Sequence, residues 1–547
     1  MVIEVLIIAF LGLILTSVAK KIHFSSELLL VIVCGAISFL PFVPEIEVEG
    51  HLLLMIILPP LLFSAARNLS GYKFKKMKNP IIWLGFGLIF ITALSVAFFV
   101  NLTVGFMTFG AGLILGAVVA PPDAVSSVSI GKKLGLPDRV MTILTGESLI
   151  NDAAALTLFS FAVAVTYRQD AVFEHPAILL AWTSVVGILV GVVFGAVCVI
   201  ARKLLNDANI VAVFTALSPW GIYIIAEHLL ASGVLAVVVA GFIIEKGNLK
   251  SSHTTRLQEK SLWHSIETLL DSFVFCYIGL QLHTIVFQLV ESELDVLSTI
   301  LYGCAVFLTI ILVRPIGVLG FNATRIIWYR MQYRHLSHFV RSSSRNRQIN
   351  TKARDNLIDA PISWREYLIL SWTGMRGVVT LATASSVPFA FGDDPIDYSS
   401  DAFKIHVFIQ VAGVVVTFGT LLLQGLTLPI LIKLLLGEKR NEIDPLAGQW
   451  RKAREIVDDA AIRIIEDEYA ADPSFDKNHL LNVYKSLDAA TIAKDKRDIS
   501  FISGMFSAIV EAQREDILRA SETGDLHTDV AREFINRLDL RLASFTS

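Results

Sequence analysis

The sequence predicts an all-α polytopic membrane protein with about 13 transmembrane helices and a small helical cytoplasmic domain at its C-terminal end. Of the 547 residues, 54% are hydrophobic and only 17% are charged, whereas soluble domains carry about 25% charged residues. Charged residues are almost absent from long apolar stretches up to about residue 437 and become frequent from Glu438 onward. We therefore expect a transmembrane domain over residues 1–437 and a cytoplasmic helical domain over residues 438–547.

The predicted spans follow from the length of the apolar stretches. A helix that crosses a bilayer needs about 17–25 mostly apolar residues, because its backbone polar groups must pair within the segment. The second and ninth stretches are short and are the weakest of the predicted spans. The spans are expected at 2–19, 26–42, 51–67, 80–102, 108–128, 139–167, 177–202, 209–227, 230–245, 263–288, 297–321, 366–390 and 404–436.

The connections between spans alternate in charge. Every other connection is basic, from Lys20 and Lys21 after the first span to the arginine-rich segment 322–365, and the connections between them are neutral or acidic apart from Arg168. Lysine and arginine are retained on the cytoplasmic side, so we expect the N-terminus outside and the C-terminus cytoplasmic, in the plasma (inner) membrane. Segment 322–365 is either a solvated basic loop or partly an interfacial amphipathic helix.

Several ionisable side chains lie inside the predicted spans. Such a side chain is costly in a bilayer and marks a candidate functional site. The main candidates are Asp123, Glu147, Asp152, Arg314 and Arg376. Three further acids lie nearer predicted span ends and are weaker candidates: Glu227, Glu267 and Asp271.

The sixth span carries three adjacent oxygen-bearing side chains, Ser148, Asn151 and Asp152. Alkali cations are hard ions that prefer oxygen ligands. A carboxylate withdrawn from water retains a proton more readily and releases it when a cation arrives. Asp152 is therefore predicted to bind a proton and a monovalent cation in turn, and the alternative is that it pairs with a neighbouring helix.

The fifth span contains Pro121 and Pro122 directly before Asp123. Two prolines remove two backbone donors and interrupt the helix, and interrupted helices in transporters lie beside the substrate. Asp123 can offset the partial positive charge of a helix N-terminus at this break. We favour this charge compensation over direct proton carriage, and we also count Asp123 among the candidate cation ligands.

The twelfth span contains Arg376 between Gly374 and Gly377 and is the second predicted interruption. Spans five and twelve cross in opposite directions, which is typical of two inverted repeats. A buried arginine needs a carboxylate, and for Arg314 the best candidate is Glu147, since Asp152 must exchange ligands. Arg376 is an alternative partner for Glu147 or a partner for Asp123, and the sequence leaves this choice open.

Taken together, these motifs resemble those of the NhaP-type cation/proton antiporters, the branch that includes the sodium/proton exchangers. The resemblance covers about residues 1–437 and rests on Gly146-Glu147-Ser148, Asn151-Asp152, Asp123, Arg314 and Met375-Arg376-Gly377. This chain differs from the family pattern at Pro122-Asp123-Ala124, where the family commonly has Thr-Asp-Pro, so the threonine oxygen is missing.

The resemblance implies an inverted-repeat fold of thirteen helices, with a dimer-interface domain and a mobile core domain that moves in an elevator-like cycle. It implies a homodimer in which Asp152 binds Na⁺, K⁺ or Li⁺ or a proton, and in which Glu147 pairs with Arg314. The Asn151-Asp152 pair is associated with electroneutral one-for-one exchange. Sodium is the cation that we expect.

Other functional classes fit the sequence less well. A cation channel is the first alternative, but the chain has no repeated pore-loop element. An intramembrane enzyme would need a nucleophile–base pair or metal-ligating histidines within the spans, and the histidines lie mostly in loops or near span ends. A proton-independent solute carrier remains a further alternative. We expect no cofactor and no nucleic-acid partner.

Overall fold

The structure, a computed structural model, describes most of the chain. It covers residues 2–22, 25–41, 50–68, 74, 77–167, 176–205, 207–248, 251, 253–342, 363–387, 400–436, 447–471, 498–523, 525–526 and 528–546. Every regular element within these residues is a helix. Contacts divide the chain into two compact units, one formed by Met1–Asn206, Val213–Ile244 and Ser261–Arg440, the other by Asp207–Ala212, Glu245–Lys260 and Asn441–Ser547.

The described helices are numbered here in chain order. Up to residue 248 they are α1 (Val2–Lys21), α2 (Ser26–Ser38), α3 (Gly50–Asn68), α4 (Lys78–Thr103), α5 (Phe109–Val119), α6 (Ala124–Leu134), α7 (Asp138–Thr166), α8 (Pro176–Leu204), α9 (Ala208–His228) and α10 (Gly233–Asn248). From residue 253 they are α11 (His253–Leu280), α12 (Leu282–Glu291), α13 (Val296–Ser342), α14 (Trp364–Trp372), α15 (Val378–Ser385), α16 (Asp401–Leu436), α17 (Ala447–Ala471), α18 (Asp498–Glu522) and α19 (Thr528–Thr546).

The first unit contains the membrane-spanning helices. Among the described residues, 7 helices are long and apolar enough to cross a bilayer, and the shorter apolar helices Ser26–Ser38, Leu54–Arg67 and Phe109–Val119 accompany them. Each predicted span overlaps one described helix or a pair of consecutive helices. The all-α fold with two interrupted helices is confirmed, while the count of thirteen spans stays a prediction.

The two largest differences between predicted and described boundaries concern the eleventh and tenth spans. The eleventh span was expected to end at residue 321, but α13 continues to Ser342, so the first part of segment 322–365 is helical. The tenth span was expected to begin at residue 263, but α11 begins at His253 because the polar residues before it extend the same helix. Asp271 lies within this helix of 28 residues.

Small residues allow the helices of the first unit to pack closely. Gly112 and Gly116 on α5 lie against Ala97 and Ala93 of α4, and a Cβ at Gly112 would be 2.9 Å from the Ala97 oxygen. Close packing through small residues is the usual way in which membrane helices associate. On α4, Gly85 lies in a π-helical turn, and its Cβ would be 2.8 Å from the Ile150 Cβ on α7.

The second unit is built around α17, α18 and α19, whose apolar side chains recur at helical spacing and share one core. Val457, Phe506 and Leu538 represent the three helices in that core. Arg256, in the Glu245–Lys260 segment of this unit, makes a two-pronged ion pair with Asp539 of α19, with Nε 2.8 Å from Oδ2 and Nη2 2.5 Å from Oδ1. Within the predicted domain over 438–547, α17 to α19 are described, and residues 472–497 lie outside the described part.

Candidate functional site

The candidate site lies where two interrupted helices meet. The first interruption separates α5 from α6, and the second separates α14 from α15. The backbone N–H of Asp123, in the first break, donates to the carbonyl of Met375, in the second, at 2.6 Å. Proline has no N–H to donate, so Pro121 and Pro122 prevent the helix from continuing and leave Asp123 to make this contact. The two breaks predicted from the sequence therefore meet in space.

Asp123 lies at the N-terminal ends of two helices. It directly precedes α6, and a Cβ on Gly377, the N-cap residue of α15, would be 2.6 Å from Asp123 Oδ2. Only a residue without a side chain fits between the carboxylate and this helix end. Helix N-termini carry a partial positive charge, so Asp123 is placed to offset two of them.

Arg376 has the opposite charge and lies against backbone carbonyl groups. Its Nε donates to the carbonyl of Val119, the last residue of α5, at 2.8 Å, and its Nη1 donates to the carbonyl of Gly374. Its backbone N–H donates to Thr420 Oγ1 at 2.9 Å. Helix C-termini carry a partial negative charge, and Arg376, only 2% exposed, is placed to offset one.

Glu147 and Arg314 form a buried ion pair. Arg314 Nη1 lies 2.7 Å from Glu147 Oε1, and Nη2 lies 3.1 Å from Oε2. Both residues are almost fully buried, at 4% exposed for Arg314 and 1% for Glu147. The leading expectation, that Arg314 pairs with Glu147, agrees with this geometry. The alternative, that Arg376 pairs with Glu147, does not, because both oxygens of Glu147 accept from Arg314 while Arg376 donates to the carbonyl groups of Val119 and Gly374.

Asn151 attaches α7 to the first break. Its Nδ2 donates to the carbonyl of Pro122 at 2.9 Å, and its Oδ1 has no hydrogen-bond partner although the residue is 0% exposed. A buried oxygen without a partner is costly and is available to a cation. Asn151 was predicted as a ligand, and the structure places its amide beside Asp123.

Asp152 is half-buried on α7, and Ser148 lies half-buried one turn before it. Asp152 directly follows Asn151, so it lies on the turn of α7 that is hydrogen-bonded to the carbonyl just before Asp123. Among the described residues, none makes an ion pair or hydrogen bond with the Asp152 carboxylate. The alternative of a helix-pairing role for Asp152 has no support in this part of the chain.

Two acids that the sequence ranks as weaker candidates, Glu267 and Asp271, lie on α11. Glu267 on α11 accepts a hydrogen bond from Ser64 of α3. Asp271 lies one turn further along the same helix. The spacing of four residues between Glu267 and Asp271, which places both on one helix face, was the available signal.

A family model described as the sodium/hydrogen exchanger transmembrane region matches residues 6–434. The Na(+)/H(+) antiporter ApNhaP of Aphanothece halophytica is 29% identical over 74% of this chain and 68% of its own length. An uncharacterized Na(+)/H(+) exchanger of Escherichia coli K12, YjcE, is 26% identical over 94% of this chain and 92% of its own.

A third relative is the sodium, potassium, lithium and rubidium/H(+) antiporter of Bacillus subtilis, 26% identical over 70% of this chain and 54% of the relative. Among solved structures, that of the sodium proton antiporter MjNhaP1 from Methanocaldococcus jannaschii superposes with a TM-score of 0.61 and 18% sequence identity. The match covers 80% of this chain and 99% of that one. The structural likeness supports the same fold.

Proposed function

The chain belongs to the sodium/hydrogen exchanger family, and from this premise we propose that Asp152 is the carboxylate that binds the transported cation and the proton in turn. The protein is an integral membrane antiporter that exchanges cations for protons. It is a secondary transporter and neither an enzyme nor a channel.

The observation that carries this proposal is the environment of Asp152. Its side chain is half-buried on the turn of α7 that Asn151 attaches to the carbonyl just before Asp123, and no cationic side chain among the described residues forms an ion pair with it. A buried negative charge without a partner is strongly unfavourable. It is neutralised either by a proton or by a cation, and one carboxylate does not hold both. Competition for this group couples the two fluxes.

The oxygen atoms around Asp152 suit a small monovalent cation. Asn151 Oδ1 is buried and unpaired, and Ser148 lies one turn away on the same helix. Together with Asp123 they provide the oxygen ligands that alkali cations prefer. We propose sodium as the main transported ion, because the descriptions of the family and of the relative from Aphanothece halophytica both name sodium. Potassium and lithium are alternatives to test.

Transport would follow alternating access, with the crossing of the interrupted helices acting as a rigid support. Asn151 attaches α7 to that support, and the Glu147–Arg314 pair attaches α7 to α13. The proposed ion-binding residues would therefore move together. The loop charges support an external N-terminus and a cytoplasmic C-terminus in the plasma membrane. We further propose a homodimer, electroneutral exchange, and a division into a transmembrane domain over 1–437 and a cytoplasmic domain over 438–547.

The test is cation-induced proton movement in inside-out vesicles that contain the protein. A pH-sensitive dye in an acidified lumen reports proton release when sodium, potassium or lithium is added. We expect release with the unchanged protein and none with Asp152→Asn. Asp401→Asn, the same chemical change at an exposed position at the start of α16, is the matched control and retains exchange.

Two outcomes would overturn the proposal. Undiminished exchange by a folded, inserted Asp152→Asn protein would exclude Asp152 as the exchanging carboxylate. A lack of response of the unchanged protein to all three cations would favour a proton-independent solute carrier.

A further inference from the structure

We propose that Cys34 on α2 and Cys276 on α11 form an oxidation site, where a peroxide converts two thiols into a disulfide that joins the two helices. This site is separate from the ion-binding residues proposed above and does not depend on their role. The contact between the two sulfurs, the glycines that bring the helices together and the placement of the other cysteines support it.

The two sulfurs are in direct contact. Cys34 Sγ and Cys276 Sγ lie 2.9 Å apart, within hydrogen-bond distance, so one thiol donates to the other. Both residues are 0% exposed, and 242 positions separate them along the chain. The fold therefore holds two distant thiols against each other inside the protein, and a small rotation of the side chains brings the sulfurs within bonding distance.

The backbones of the two helices also approach closely. Gly279 lies one turn after Cys276, and a Cβ added there would be 2.7 Å from Cys34 Cβ and 3.1 Å from the Gly35 nitrogen. Small residues at such a crossing let the backbones approach, and a larger side chain at Gly279 would push α2 and α11 apart. A disulfide needs Cα atoms within about 7 Å of each other, and this tight crossing, with the sulfurs already in contact, favours that spacing.

The other cysteines of the chain are placed differently. The sequence contains four cysteines, and the remaining two are Cys198, buried on α8, and Cys304, exposed on α13. In the part of the chain that the structure describes, no hydrogen bond joins either of them to another cysteine. Oxidation should therefore give one defined link within the chain, between α2 and α11.

Hydrogen peroxide, which is small and uncharged, supplies the oxidising equivalents in two steps. One thiol sulfur first attacks a peroxide oxygen, the O–O bond breaks, and the thiol proton leaves with the other oxygen as water, which gives a sulfenic acid. The second thiol sulfur then attacks the sulfenic sulfur, and its proton leaves with the hydroxyl group as a second water. Two thiols lose two electrons in total, and one peroxide molecule gains them.

The arrangement of the pair determines which of these steps is slow. A buried thiol reacts slowly with an oxidant from solution. The second step is fast by comparison, because the partner thiol is already in contact and the reaction is intramolecular. The sulfenic acid is therefore captured as a disulfide before it is oxidised further, and a dithiol reductant restores the two thiols.

The disulfide would reinforce contacts that α11 already makes with the first helices of the chain. A Cβ on Gly12 of α1 would be 2.7 Å from the Ser272 carbonyl oxygen on α11, and Ser64 of α3 donates to Glu267 of α11. The link touches neither α7 nor the two helix interruptions. We therefore expect it to raise the unfolding temperature, because it closes a long loop, while exchange continues.

The experiment treats the full-length protein in vesicles with hydrogen peroxide, then denatures it and labels its free thiols with a maleimide. The Cys198→Ser, Cys304→Ser double variant retains only the pair. We expect both of its thiols to be labelled before treatment and neither after it, with a peptide that links residues 34 and 276 in the mass spectrum. The unfolding temperature should rise by several degrees, and a dithiol should reverse both changes.

Variants with one member of the pair provide the matched control. Adding Cys34→Ser or Cys276→Ser to the double variant should remove the linked peptide and the rise in unfolding temperature. If a serine variant fails to fold, alanine at the same position replaces it. The test on the double variant and on the unchanged protein needs no substitution within the pair.

Two results would overturn the inference. One is the absence of the linked peptide from the unchanged protein under conditions in which the peroxide has oxidised the exposed Cys304. The other is a linked peptide that forms only after the protein has been denatured. Exchange in the dye assay is measured before and after oxidation. A loss of exchange that the dithiol restores would overturn the expectation that the link leaves transport intact.

Discussion

Arg314 joins three helices through one guanidinium group. Its two terminal nitrogens donate to both carboxylate oxygens of Glu147 on α7, at 2.7 and 3.1 Å, and its Nε donates to the carbonyl of Leu370 on α14 at 3.1 Å. Because this arginine is fully engaged by Glu147 and Leu370, it does not neutralise Asp152, five residues further along α7. The acid that pairs and the acid that exchanges ligands are thus kept apart on one helix.

Glu147→Gln is expected to destabilise the protein strongly, because Arg314 would remain buried without a compensating charge. Breaking a buried ion pair from one side costs about 3–5 kcal/mol. Thermal unfolding of the purified protein in detergent would show a clear decrease in midpoint. Asp516→Asn, which breaks the more exposed Arg463–Asp516 pair of the second unit, is the control and costs about 1 kcal/mol or less.

Similar unfolding temperatures for Glu147→Gln and Asp516→Asn would contradict a structural role for the Glu147–Arg314 pair. Replacing both members with leucine provides a second check. The double variant should recover part of the stability that Glu147→Gln loses, because no unpaired charge remains buried.

Gly377→Ala is expected to impair exchange through a single methyl group. The added Cβ would lie 2.6 Å from Asp123 Oδ2, so the carboxylate or the start of α15 must move. Overpacking of this kind typically costs about 1–3 kcal/mol. Exchange rates in vesicles should fall well below those of Gly221→Ala, where a Cβ would meet nothing within 4 Å. Equal rates for the two variants would show that Asp123 need not stay against α15.

Asp123→Asn distinguishes charge compensation from proton carriage. Asparagine can still accept hydrogen bonds at a helix N-terminus, so we expect reduced but measurable exchange in the dye assay. Its activity should lie between those of the unchanged protein and Asp152→Asn. Exchange as completely abolished as in Asp152→Asn, from a protein of normal abundance, would instead indicate that Asp123 carries a proton or is an indispensable cation ligand.

The pH dependence of exchange tests the competition at Asp152. A proton and a cation that compete for one carboxylate make the KM for sodium rise as the pH falls. The rise approaches roughly tenfold per pH unit at the acid end, the limit for one proton against one cation. Maximal rates at saturating sodium should change much less. A constant KM with a falling maximal rate would indicate that protons act at a separate site.

Much of the architecture could be predicted from local sequence properties. The apolar stretches are long enough to identify membrane helices, and Pro121-Pro122 and Gly374 to Gly377 mark the two interruptions that the structure contains. The helix limits were less predictable. Polar residues such as those between His253 and Lys260 continue α11 beyond its apolar part, and hydropathy gives no signal for a helix that extends past the bilayer.

Within the candidate site, the sequence alone determined which side chains are energetically costly to place in a bilayer. Acids and arginines in apolar helices need a partner or a function wherever they lie. Only the tertiary structure decided how they are distributed, with Arg314 paired to Glu147 and Arg376 bonded to the Val119 carbonyl. The physical reason is the separation along the chain of the residues that each interaction involves. Helix formation and membrane insertion depend on neighbouring residues, whereas ion pairing depends on distances between side chains that are separated by more than a hundred residues and are set by helix packing.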